Sequence, residues 1–152
     1  MADIVDPATR SRMMASIRGK DTRPELLLRR ALHVRGFRYR LHARSLPGRP
    51  DLVLPRWRAV VFVHGCFWHR HPGCRYATTP ATRPEFWQAK FDANVVRDAR
   101  SIEALKAQHW RMALVWECAL RGGNVDEVAD ALSDWLLSDE AELQLPGQLP
   151  DT

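Results

Sequence analysis

The sequence predicts an α/β fold in which one mixed sheet lies between helices. Three observations carry this. Residues 51–54 and 59–63 are neighbouring apolar runs with β-branched content, the signature of two central strands. Helix signals stand on both sides of them, at Thr22-Arg23-Pro24-Glu25 and from Pro84 onward. The chain has 152 residues, 45% hydrophobic and 27% charged, which suits one soluble domain that buries its core without disulfides.

The elements follow in order. Asp6-Pro7 can cap and open a short helix that carries Arg10, Arg12 and Arg18 around Met13 and Met14. Thr22 and Glu25 fit a capping box ahead of Leu26, Leu27, Leu28, Ala31 and Leu32, and Gly36 ends that helix. Residues 37–41 read as a strand, and Leu46-Pro47-Gly48-Arg49-Pro50 as a turn. After the two central strands, residues 64–84 form a structured loop rich in His, Cys, Pro and Gly. Residues 84–108 are helical, 112–116 a strand, 125–137 an amphipathic helix, and the last dozen residues a loose tail. The expected organisation is a basic segment over 1–20, a folded domain over 21–138 and a flexible acidic tail over 139–152.

The formal net charge is +5, and Asp139, Glu140, Glu142 and Asp151 crowd the tail, so the body is more basic than the total. This favours a polyanionic partner. No apolar run is long enough to cross a bilayer, and residues 1–18 lack the apolar stretch of a secretory signal, so the expected location is the cytoplasm. Three cysteines in such a chain argue for metal ligation or buried thiols rather than a disulfide framework.

Residues 64–74 hold three of the six histidines and two of the three cysteines. Cys66, His71 and Cys74 form a C-x4-H-x2-C array of the soft donors that tetrahedral Zn²⁺ requires. Cys118 can return as a fourth ligand and close a structural Cys₃His site; if it is only a core thiol, His69 takes that place. Asp51 opens a strand after Gly48-Arg49-Pro50, where a carboxylate stands beside Val63 and His64 of the next strand. It serves as a metal ligand there or simply as a turn residue.

The strings SLPGRPD (45–51), FVHGCFWH (62–69), PATR (80–83) with Phe86-Trp87, and VWECALRG (115–122) resemble the very-short-patch-repair (Vsr) DNA mismatch endonucleases. The resemblance covers about residues 1–135 and takes in Asp21, Thr22 and Glu25. It implies a three-layer α/β/α restriction-endonuclease-like fold with a structural zinc site. It further implies that Asp51 and the backbone carbonyl of Val63 hold a catalytic Mg²⁺. By the same resemblance His69 is the general base, His64 and Glu25 support the active site, and Cys66, His71, Cys74 and Cys118 bind Zn²⁺. The implied reaction is hydrolysis that nicks the T strand at a T:G mismatch left by deamination of 5-methylcytosine. The substrate is mismatched double-stranded DNA, cut by a monomer, with mismatch-repair proteins and a cytosine-5 methyltransferase in the same pathway.

DNA contacts are expected from Phe67, Trp68 and Trp87, as wedges beside the mismatch, or alternatively packed under the loop. Met14 enters the minor groove or packs its own helix. Arg49 and Arg70, with Arg75 and Arg83, flank the site as phosphate contacts. Two rival readings remain: a restriction-type endonuclease on paired DNA, and a non-catalytic zinc module that binds nucleic acid.

Overall fold

The computed structural model describes residues 22–121 and 124–147. The expected helix at Asp6-Pro7, Met13, Met14 and the basic 1–20 segment lie outside the described residues.

Helix α1 (Arg23–Val34) starts where the capping box places it, with the Thr22 backbone N–H donating to Glu25 Oε2 at 3.3 Å. Its inward face carries Glu25, Leu28, Arg29 and Leu32, one residue per turn or nearly so. Gly36 then takes a φ of +92°, open only to glycine without strain, and ends the helix as expected.

Among the described residues the sheet has five strands in the order β1-β2-β3-β4-β5. Strand β1 (Arg40–Leu41) is shorter than the expected 37–41, because Phe37 leaves the ladder to bury its ring in the core. Strands β2 (Leu52–Leu54) and β3 (Ala59–His64) form an antiparallel hairpin, and β4 (Arg111–Trp116) and β5 (Glu142–Leu145) add in parallel. Side chains alternate between two cores. Leu52, Leu54, Ala59, Val61, Ala113 and Val115 face α1 and the amphipathic helix α4 (Val125–Leu137). Val53, Val60, Phe62, Met112, Leu114 and Trp116 face the opposite side, where Leu105 of helix α2 (Pro84–Ala107) packs. Burial on both faces is why the central strands read as continuous apolar runs. A short helix α3 (Glu117–Leu120) joins β4 to the segment before α4.

Strand β5 departs from the expected loose tail over 139–152 at residues 142–145, and residues 148–152 lie outside the described residues. Leu143 and Leu145 pack against the core, and Lys106 pairs with Glu142. The turn ahead of the strand is gathered by Arg111, whose guanidinium donates to the carbonyls of Trp57, Trp135, Leu136, Ser138 and Glu140. One cation satisfying five carbonyls holds a segment whose own composition looks like surface.

Candidate active site and metal cluster

The turn before β2 comes within van der Waals reach of α2. At Gly48 a Cβ would lie 2.8 Å from Ser101 Cβ, and φ is +75°, so only glycine fits. This close approach forms one wall of a cleft of about 470 Å³, lined by Glu25, Arg49, Asp51, Val63, His64 and His69. The five residues expected in catalysis and Mg²⁺ binding are thus brought together, with Arg49 exposed at the rim.

Asp51 stands one residue ahead of β2, and Val63 on β3 reaches it: the Val63 backbone N–H donates to Asp51 Oδ2 at 2.6 Å. Burial, then the facing Glu25 carboxylate, pushes the Asp51 carboxyl up to about 8; the Val63 N–H and the Arg29 guanidinium act in the opposite sense. Two carboxylates turned toward each other form a site that a cation relieves. The oxygens of Asp51 and Glu25 suit a hard divalent ion.

His64 and His69 stack, with ring centroids 3.8 Å apart and planes 8° from parallel. His64 is buried against Phe62 and Trp116, and burial, reinforced by His69, holds it well below the usual histidine range, so it stays neutral. His69 Nδ1 meets Asp98 Oδ2 at 2.6 Å. A carboxylate accepts, so Nδ1 carries the proton and Nε2 is left as the basic nitrogen.

The ligand atoms of Cys66, His71, Cys74 and Cys118 all lie within 4.8 Å of one another, and Cys118 Sγ is 3.4 Å from His71 Nδ1. Metal–ligand bonds of about 2.0–2.3 Å give tetrahedral edges of about 3.5–3.8 Å, so the four donors fit a zinc-sized ion with little movement. The structure brings Cys118, not His69, to the other three. Burial pushes the Cys66 thiol up to about 12 and raises Cys118 as well; thiols so placed become thiolates only against a cation.

Two expectations change. Arg70, expected at a phosphate, instead turns its guanidinium inward: it donates to the carbonyls of Phe67, Ala77 and Thr78 and to Thr79 Oγ1, and lies 4.0 Å over the Phe91 ring. It is a brace of the Cys/His loop. Trp68 is 5% exposed and packs with Phe67, Trp87 and Phe91, with centroids 5.0–6.4 Å apart, so the packed alternative describes it. Phe67 and Trp87 are half-buried in the same cluster.

Three residues that sequence reasoning missed complete the site: Asp98, Arg29 and His42. Asp98 lies on the face of α2 that also carries Phe91, Asn94 and Leu105, and an acid in that row was a readable signal. His42 takes a φ of +47°, an uncommon conformation for histidine, and places its ring between Glu25 and Asp51.

The family described as DNA mismatch endonuclease Vsr matches residues 2–75. The DNA mismatch endonuclease Vsr of Escherichia coli K12 is 45% identical over 151 residues, which is 97% of this chain and 96% of the relative. The type II nicking enzyme V.XorIIP of Xanthomonas oryzae pv. oryzae is 49% identical over 79% of this chain and 88% of its own. A nicking enzyme of Neisseria meningitidis, V.NmeAIP, is 39% identical over 80% and 86%. Fold, cleft and relatives together define a DNA endonuclease, a hydrolase of the phosphodiester backbone. The chain belongs to the Vsr family of DNA mismatch endonucleases.

Proposed function

We propose that this endonuclease nicks the T strand at T:G mismatches, leaving a 5′-phosphate and a 3′-hydroxyl, and so starts short-patch repair of deaminated 5-methylcytosine. The observation that carries the reading is the pairing, across one cleft, of a carboxylate site at Asp51 with a His69–Asp98 couple. The relatives, described as a mismatch endonuclease and as nicking enzymes, support a single-strand cut.

Asp51 and the Val63 carbonyl are the groups that would hold Mg²⁺, with Glu25 beside them. Bound there, the ion supplies neutralisation of charge at the scissile phosphate. His69 takes the proton of the attacking water at Nε2, while Asp98 fixes the tautomer and stabilises the imidazolium that forms. His64, held neutral, sets the plane of His69 by stacking. Cys66, His71, Cys74 and Cys118 are assigned to a closed structural Zn²⁺ site that stiffens the loop carrying His69.

The mixed sheet between helices fits a restriction-endonuclease-like core. The half-buried Phe67 and Trp87, backed by the packed Trp68 ring, are assigned to insertion beside a mismatch, where unstacking costs least. Arg49 at the rim and Met14 of the N-terminal segment are assigned to the DNA backbone and minor groove. We further assign the protein to the cytoplasm as a monomer, acting with mismatch-repair proteins and a cytosine-5 methyltransferase. Among the described residues no helix is long and apolar enough to cross a membrane.

The test is strand-resolved nicking of a duplex with one T:G mismatch, in several contexts, beside its fully paired counterpart, with Mg²⁺ and with EDTA. Magnesium-dependent cutting of the T strand alone supports the reading. Cutting of the paired duplex supports the restriction rival, and binding without cutting the zinc module.

A further inference from the structure

The site holds an imidazole that the reaction does not use. The ligand atoms of Glu25, His42 and Asp51 lie within 4.8 Å of one another. Two carboxylates and an imidazole form a donor set that prefers Co²⁺, Ni²⁺ or Zn²⁺ over Mg²⁺, because nitrogen ligands follow the transition-metal affinity order while Mg²⁺ demands oxygen. An enzyme working with Mg²⁺ must keep that set from assembling.

Arg29 is placed to do this. Its NH2 lies 2.9 Å from His42 Nε2 and 3.2 Å from Glu25 Oε1, one helical turn back. A guanidinium only donates, so Nε2 of His42 accepts, and the proton of the neutral ring sits on Nδ1. Nδ1 is the nitrogen that faces Asp51, 3.8 Å from Oδ1. A protonated nitrogen has no lone pair for a metal. The backbone keeps the ring there, since the His42 N–H donates to the Asp51 carbonyl at 3.1 Å.

We propose that Arg29 is a metal-selectivity residue: because its guanidinium can only donate, it locks His42 with its proton toward Asp51, so that the Glu25–Asp51 site offers a metal oxygen ligands only. The inference rests on the reading of the cleft as a Mg²⁺ site. It predicts that removing the guanidinium frees His42 to ligate, turning the trio into a transition-metal site.

The test uses the full chain with its Cys/His cluster preloaded with Zn²⁺ and no DNA. Long-range ¹H–¹⁵N spectra of the histidine rings come first; His42 is expected as the Nδ1–H tautomer, and an Nε2–H pattern overturns the proposal without any mutation. Co²⁺ is then titrated by calorimetry and visible absorption into wild type, Arg29→Met and the double variant Arg29→Met/His42→Ala. Arg29→Met is expected to bind Co²⁺ at least about tenfold tighter, with the gain lost in the double variant. No gain, or a gain that survives loss of His42 and so reflects only the missing positive charge, overturns it. Mg²⁺-dependent nicking by wild type runs in parallel. Its absence counts against the cleft reading, whereas the tautomer and Co²⁺ results judge Arg29.

Discussion

Asp51→Asn should make the metal-free protein more stable while it stops nicking. The Asp51 side chain is 22% exposed and its carboxyl is pushed up to about 8 from an ordinary 3.8 by burial and by Glu25. In the unfolded chain the group loses its proton near its ordinary value; in the folded chain it keeps it until the higher one. Between the two the native state binds more protons, so stability from this group is full below about pH 4 and is lost as pH rises through about 8. The full displacement caps the loss at about 6 kcal/mol. Relaxation and water entry at a group that faces a cleft reduce it to about 2 kcal/mol. Asparagine still accepts the Val63 N–H and can donate to Glu25, and it carries no charge. Thermal melts of both proteins, zinc-loaded and free of Mg²⁺, should agree near pH 4.5 and separate by about 4–8 °C near pH 8.5, with the variant higher. Mg²⁺ should raise the Tm of wild type and leave the variant unmoved. Equal melting temperatures at pH 8.5, or a variant that is lower, would refute the argument that the paired carboxylates are a strained site awaiting a cation.

Other consequences are as direct. Asp98→Asn should lower kcat about 10²-fold with KM nearly unchanged, because it removes the charge that stabilises the His69 imidazolium and adds an amide donor that can hold the other tautomer; single-turnover kinetics check this. Arg70→Ala should loosen the metal loop and lower Tm while leaving the salt dependence of DNA binding as in wild type, whereas Arg49→Ala should reduce the slope of log K against log salt by about 1. Stripping Zn²⁺ with a strong chelator, or Cys74→Ser, should cost about 10 °C in Tm and abolish nicking, and re-addition of Zn²⁺ should restore the chelated protein only.

What the sequence made legible was whatever is local along the chain. The C-x4-H-x2-C array is compact, and the structure gathers its residues with Cys118 as expected. Strands β2 and β3 were readable because burial on both faces leaves nothing but apolar residues in them. Asp51 and His69 were placed by the strings around them. The features missed are built across the fold. Strand β5 alternates Leu143 and Leu145 with polar residues, but its docking depends on Arg111, far upstream, and its acidic neighbours read as solvent-exposed. Asp98 meets His69 only because α2 runs back over the loop, and His42 meets Asp51 only because a left-handed residue follows β1. Arg70 and Trp68 misled for a related reason: a cation or a large aromatic in a polar loop looks available until the loop's own carbonyls and rings are seen to enclose it.

The central claim is that the cleft cuts and the Cys/His loop supports. It is tested most directly by measuring binding and nicking of one T:G duplex, by anisotropy and by strand-resolved gel, for zinc-loaded wild type, Asp51→Ala and His69→Ala. Binding within about threefold of wild type, with nicking at least about 10³-fold slower in both variants, is the predicted result. Nicking near the wild-type rate in either variant would contradict it.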